Sequence, residues 1–167
     1  MSTQSAIHWP EKYTPGYTDN YVSNEIIVKD LSVNDVWPYL TSTAYWTKYY
    51  KNASDITFPQ CGGPELTADV NFSFSTFGFP LLAAKVVEFV APAQEGQVAH
   101  RSPEDKLDVL HAWLLEDLDG GRVRISTQES QIGKPAVDLA KASPSPMLDG
   151  HQDWLNGLRD YALKHKK

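Results

Sequence analysis

One long amphipathic segment at the end of the chain restricts the fold more than any other feature. From about 147 to 165 it places Leu148, His151, Leu155, Leu158 and Ala162 at i, i+3, i+7, i+10 and i+14, with Trp154 and Tyr161 on the flank. That spacing predicts a helix with a single apolar stripe, and the stripe needs a surface to cover it. The residues before it supply one. Runs at 53–58, 68–77, 81–89, 96–101, 107–118 and 122–132 read as six successive antiparallel strands. Turn signals interrupt them at 61–64, 78–80, 91–93, 102–105 and 119–121. Upstream, 24–30 is a β-branched run, and Ser32 with Asp35 forms a capping-box variant ahead of a short helix that Pro38 shortens or kinks. A second short helix is expected at 43–49 and a loop at 133–146. The order predicts an α+β chain in which a strongly curved antiparallel sheet of about seven strands wraps the long C-terminal helix. Residues 1–22 read as an N-terminal extension and 23–167 as one domain.

Composition narrows the function classes. Lys+Arg 15 against Asp+Glu 21 gives a net charge of -6, and no stretch gathers a basic face, so nucleic acid is not an expected partner. The single cysteine, Cys61, forms no internal disulfide and has no basic neighbour to activate it as a nucleophile. No C-x-x-C or H-x-x-x-H spacing is present, so neither a metal nor a cofactor is expected. No apolar window nears the roughly 20 residues of a membrane span, and no signal-peptide pattern opens the chain, which predicts a cytoplasmic protein, monomeric or homodimeric. Stability must then come from packing five Trp, eight Tyr and six Phe.

Strand alternation assigns the inner faces. On 68–76 the even positions Ala68, Val70, Phe72, Phe74 and Thr76 face inward. On 107–115 the odd positions do so, including His111 and Trp113; on the last strand the odd face carries Val123, Ile125, Thr127, Glu129 and Gln131. If the last hairpin closes through the three-residue loop Asp119-Gly120-Gly121, His111 lies opposite Glu129 and Trp113 opposite Thr127. A two-residue Gly-Gly turn would instead set His111 opposite Ser130. Directly opposed β-carbons are about 4.5–5.5 Å apart, within reach of an imidazole–carboxylate bond.

Three segments carry a family resemblance: Val36-Trp37-Pro38-Tyr39-Leu40-Thr41 with Tyr45-Trp46; His111-Ala-Trp113-Leu-Leu115-Glu116 with Gly120-Gly121-Arg122-Val123 and Glu129; and His151-Gln-Asp-Trp154-Leu155-Asn-Gly157-Leu158. Over about 22–165 the chain resembles the SRPBCC superfamily, the START-type helix-grip fold of polyketide cyclases and lipid carriers. The resemblance implies a cavity between sheet and helix that holds an apolar or aromatic small molecule. Phe72, Phe74, His111, Trp113, Thr127, Glu129, His151, Leu155 and Leu158 are the candidate ligand contacts, with His111 and Glu129 as a polar anchor or an acid/base couple. The leading expectation is a binder of a lipid, polyketide-like or aromatic molecule. A cyclase, aromatase or dehydratase using the His/Glu pair is the alternative, and a co-chaperone-like interaction module is a third reading.

Overall fold

The computed structural model describes residues 4–92, 95–103 and 107–167, with backbone alone for 95–103. The turns expected at 91–93 and 102–105 run outside the described residues. Strands β1 (Asn20–Lys29), β2 (Ala53–Thr57), β3 (Asn71–Thr76), β4 (Leu82–Val90), β5 (Glu95–Pro103), β6 (Asp108–Leu118) and β7 (Arg122–Ile132) are antiparallel throughout. Their spatial order is β1-β7-β6-β5-β4-β3-β2. Every strand from β3 to β7 thus lies beside its predecessor, β2 forms one edge, and β1 closes the other edge against β7. Among the described residues four α-helices accompany them: α1 (Val33–Thr41), α2 (Trp46–Tyr49), α3 (Lys134–Lys141) and α4 (Pro146–His165).

Local chemistry explains most boundaries. At the start of α1, the Asp35 carboxylate accepts from the Ser32 backbone N–H at 2.8 Å and from its hydroxyl at 2.7 Å. Gly120 and Gly121, with φ of 81° and 67°, make the three-residue loop between β6 and β7. The resulting register sets Leu118 opposite Arg122, Trp113 opposite Thr127 and His111 opposite Glu129. The Ser145 side chain caps α4 at Leu148 N, and Pro146 sits where its missing N–H is harmless.

Three expectations need correction. β1 begins at Asn20 rather than 24, because Asn20–Ser23 pair with Gln131–Gln128 of β7; residues 20–22 therefore belong to the sheet. The expected loop 133–146 contains α3, which opens on Gly133 and Pro135 and buries Ala136 against Leu107, Val109 and Phe79. Third, Leu148 is exposed, and the buried face of α4 runs instead through Met147, Gly150, His151, Trp154, Leu155, Leu158 and Ala162. Trp154 stands at the centre of that face, not on its flank.

The sheet and α4 meet over a dense aromatic core. The indole of Trp154 packs edge-on against Trp46 and Trp113, with ring centroids 5.1 and 5.2 Å away, and Tyr50 stacks on it at 4.3 Å. Close approach of α2 to α4 requires a residue without a side chain: a β-carbon on Gly157 would lie 2.2 Å from the Tyr49 carbonyl oxygen. Gly157→Ala gains helix propensity of about 1 kcal/mol yet forces two backbones apart, so a net loss of about 1–3 kcal/mol is expected in urea unfolding.

The N-terminal segment covers the outer face of the sheet. Tyr13, with Ile7 and Trp9, packs on Leu110 and Ala112 of β6, and its hydroxyl donates to Asp108 Oδ1 at 2.6 Å. Arg124 is buried there, paired with Glu116 at 2.7 Å and Glu25 at 3.1 Å, and it donates to the Ser5 carbonyl at 2.7 Å. This cover explains why β6 is buried on both faces from Val109 to Leu115.

Candidate functional site

Period-two alternation sends Val109, His111, Trp113 and Leu115 of β6, and Thr127, Glu129 and Gln131 of β7, toward α4. From the first half of α4, His151 comes down onto the same point. Glu129, 6% exposed, is the hub. Its Oε2 meets His151 Nε2 at 3.0 Å and His111 Nδ1 at 3.4 Å, while its Oε1 accepts from Gln131 Nε2 at 2.5 Å. Gln131 is fixed in turn by Asn20, whose Nδ2 donates to Gln131 Oε1 at 2.7 Å. His111 Nε2 lies 2.7 Å from the Thr127 hydroxyl, which is 3.4 Å from the Ala112 carbonyl. The two imidazoles are nearly parallel, with an 11° interplanar angle and centroids 4.7 Å apart. Four elements thus contribute to one buried network, and a buried carboxylate with several donors is the arrangement low polarity demands.

One nitrogen is left over. His151 is 1% exposed, and its Nδ1 is buried with no hydrogen-bond partner. The ring also lines a small cavity of about 30 Å3, whose polar side is His111, Glu129, Gln131, His151 and Thr76. Its apolar side is Phe74, Phe77, Phe79, Leu82, Leu107, Val109, Met147 and Trp154. At about 10–15 Å3 per water, this is room for two or three waters, far below the several hundred Å3 of a preformed small-molecule site. The expected roomy cavity is filled by Trp46, Trp113, Trp154, Phe72 and Phe74, all buried in the central cluster. On the other side of Phe79 lies an open groove of about 780 Å3 along α3, lined by Gly133, Lys134, Pro135, Asp138, Leu139 and Ala142. Phe79, half-buried, borders both spaces.

The candidate contacts separate accordingly. Phe74, His111, Glu129 and His151 reach the cavity. Phe72 packs instead against Phe74 and Phe58, with centroids 5.7 and 6.1 Å away. Trp113, Leu155 and Leu158 are packed in the central cluster, and Thr127 reaches the site only through His111. The expected His111–Glu129 couple is present, but His111 is engaged at both ring nitrogens, so the nitrogen available to a ligand belongs to His151. Sequence reading missed Asn20, Gln131 and Met147. Gln131 was discoverable, since it shares the inward face two residues beyond Glu129. Tyr50, stacked under Trp154, has its phenol pushed up to about 12 by burial and stays protonated. Cys61 is exposed and distant in role.

No protein-family model matches the chain, and no curated protein matches it. Among solved structures, hypothetical protein jhp0584 from Helicobacter pylori is 47% identical with a TM-score of 0.92, over 97% of this chain and 99% of that one. The ZhuI aromatase/cyclase from Streptomyces sp. R1128 is similar in fold at 13% identity and a TM-score of 0.68, covering 89% of this chain and 96% of its own. Norcoclaurine synthase from Thalictrum flavum, at 11% identity and a TM-score of 0.63, covers 89% and 96%.

Proposed function

This chain belongs to the family of the Helicobacter pylori protein jhp0584 and shares the helix-grip fold of the ZhuI aromatase/cyclase, and on that premise we propose that it binds a small, largely apolar molecule in the groove along α3, with its polar end in the small cavity between sheet and α4. In this reading the strands act as one curved wall, and the ligand's single oxygen function hydrogen-bonds to His151 Nδ1. The observation that supports it is that unpartnered nitrogen, buried on a residue that lines a cavity with one polar and one apolar side. A buried polar atom with no partner is uncommon, and a ligand hydroxyl would satisfy it. The apolar body of a lipid, polyketide-like or aromatic molecule would lie in the groove along α3, with Phe79 turned aside to join groove and cavity.

A second reading, a cyclase- or dehydratase-like enzyme, is favoured by how His151 is held. Glu129 fixes Nε2 at 3.0 Å and leaves Nδ1 without a hydrogen-bond partner, the arrangement by which a carboxylate orients an imidazole base and stabilises the imidazolium. His151 Nδ1 would take a proton from an enolisable ligand, with Glu129 and His111 positioning it.

Thermal-shift measurements with fatty acids, sterols and aromatic polyketides test the binding reading. At least one class is expected to raise the melting temperature, and Phe79→Ala, which removes the ring between groove and cavity, is expected to enlarge that shift. No shift in either protein would contradict it.

A further inference from the structure

Among the described residues one group of His, Cys, Asp or Glu side chains converges closely enough to hold a metal ion: His111, Glu129 and His151, all buried, with ligand atoms within 4.8 Å of one another. The Glu129 carboxylate lies in the interior, and its ion-pair partners are these two imidazoles. A buried anion calls for a compensating positive charge, which either a proton or a cation can provide. The spacing of the three groups is near what a cation needs, so a cation can take the place of the proton. Bonds of about 2.0–2.2 Å at tetrahedral angles separate adjacent ligand atoms by about 3.3–3.6 Å. From Glu129 Oε2, His111 Nδ1 at 3.4 Å falls in that range and His151 Nε2 at 3.0 Å falls short of it, and the ligand atoms of all three lie within 4.8 Å of one another, so small side-chain shifts would seat an ion.

The surroundings are organised for the same task. When His111 Nε2–H donates to Thr127 and that hydroxyl donates on to Ala112 O, Nδ1 presents a lone pair toward Glu129. Gln131 holds Oε1 and leaves Oε2 for coordination. Such second contacts are what orient metal-binding histidines and carboxylates. We propose that His111 Nδ1, His151 Nε2 and Glu129 Oε2 form a site for one divalent transition-metal ion of the zinc class. Two nitrogens and one oxygen suit zinc or cobalt better than calcium or magnesium, which prefer oxygen-only shells. Three protein ligands leave a position open beside a cavity with room for water, the pattern of a reactive rather than a closed structural site.

The site stands whether or not a small molecule enters the groove, and it carries one consequence for ligands. Coordination at Nε2 places the ring proton on Nδ1, so His151 would present a donor to the cavity instead of an acceptor.

Zinc(II) and cobalt(II) titrations of the full, metal-stripped chain test the assignment by native mass spectrometry and visible absorption. One ion per chain is expected, with ligand-field bands on cobalt loading and affinity that weakens as pH falls and the ligands protonate. Thr127→Val leaves all three ligands in place and is expected to weaken zinc binding about 10–100-fold. The double variant His111→Ala/His151→Ala is expected to bind no ion while circular dichroism reports its fold. A folded wild-type chain that takes up no stoichiometric ion in excess zinc, or a double variant that binds as tightly as wild type, would overturn the proposal.

Discussion

Trp154→Ala is expected to lower stability by about 3–5 kcal/mol, the range for deleting a large buried aromatic, which for a chain of this size is a fall in melting temperature of about 6–20 °C. The reason is position. Trp154 is 2% exposed at the middle of the buried face of α4, and its ring touches Trp46, Tyr50, Trp113 and His111. Each aromatic pair adds about 0.5–1.5 kcal/mol beyond the area it buries. Because the partners come from α2, the loop after it and β6, the cavity left behind cannot close by one helix settling inward. Trp154→Phe should recover part of the loss. Differential scanning calorimetry of the three proteins checks the order, and an alanine variant within a degree of wild type would mean that α4 is not seated on the sheet as described.

Glu129→Ala carries the second large effect. The carboxylate engages His111, His151 and Gln131 at once, so its removal strands three buried polar groups where water is scarce. Breaking a buried network by deleting its hub typically costs about 3–5 kcal/mol. Glu129→Gln keeps the shape and removes the charge; it is expected to fold with a smaller loss, yet to misorient His151 and abolish ligand binding. Urea unfolding separates stability from binding here. A Gln variant that folds normally and still binds a panel ligand as wild type does would show that the carboxylate does not position His151.

Local signals explain what could be read from the chain beforehand. The β6–β7 hairpin is legible because Gly120 and Gly121 permit a left-handed turn and two long strands alternate cleanly on either side, but two loop lengths fit those glycines, and the three-residue loop that sets His111 opposite Glu129 rather than Ser130 is seen in the structure. The order of strands and the final helix were legible for the same reason. What failed depended on distance or volume. α3 is only Lys134–Lys141, with a proline in its first turn and one fully buried alanine, too little periodicity to separate from a loop. The start of β1 mixes Asn20 and Ser23 with Tyr21 and the buried Val22 and pairs with the polar end of β7, so no continuous hydrophobic pattern marks it. His151 lies on the buried stripe of α4, but its meeting with Glu129 is set by how the helix docks, not by any sequence spacing. A search for linear metal motifs therefore finds nothing in residues that stand 18 and 22 positions apart. The aromatic wealth of the chain likewise reveals that the core is full, not how much space the packed rings leave.

Native mass spectrometry of the freshly purified chain, followed by identification of any small molecule released on denaturation, is the most direct measurement of whether the sheet–helix interior is a binding site. The expected result is a bound species carrying one oxygen function on an apolar body, present on wild type and lost from Glu129→Gln. Bare wild-type protein that also fails to take up any fatty acid, sterol or aromatic polyketide offered to it would contradict that claim.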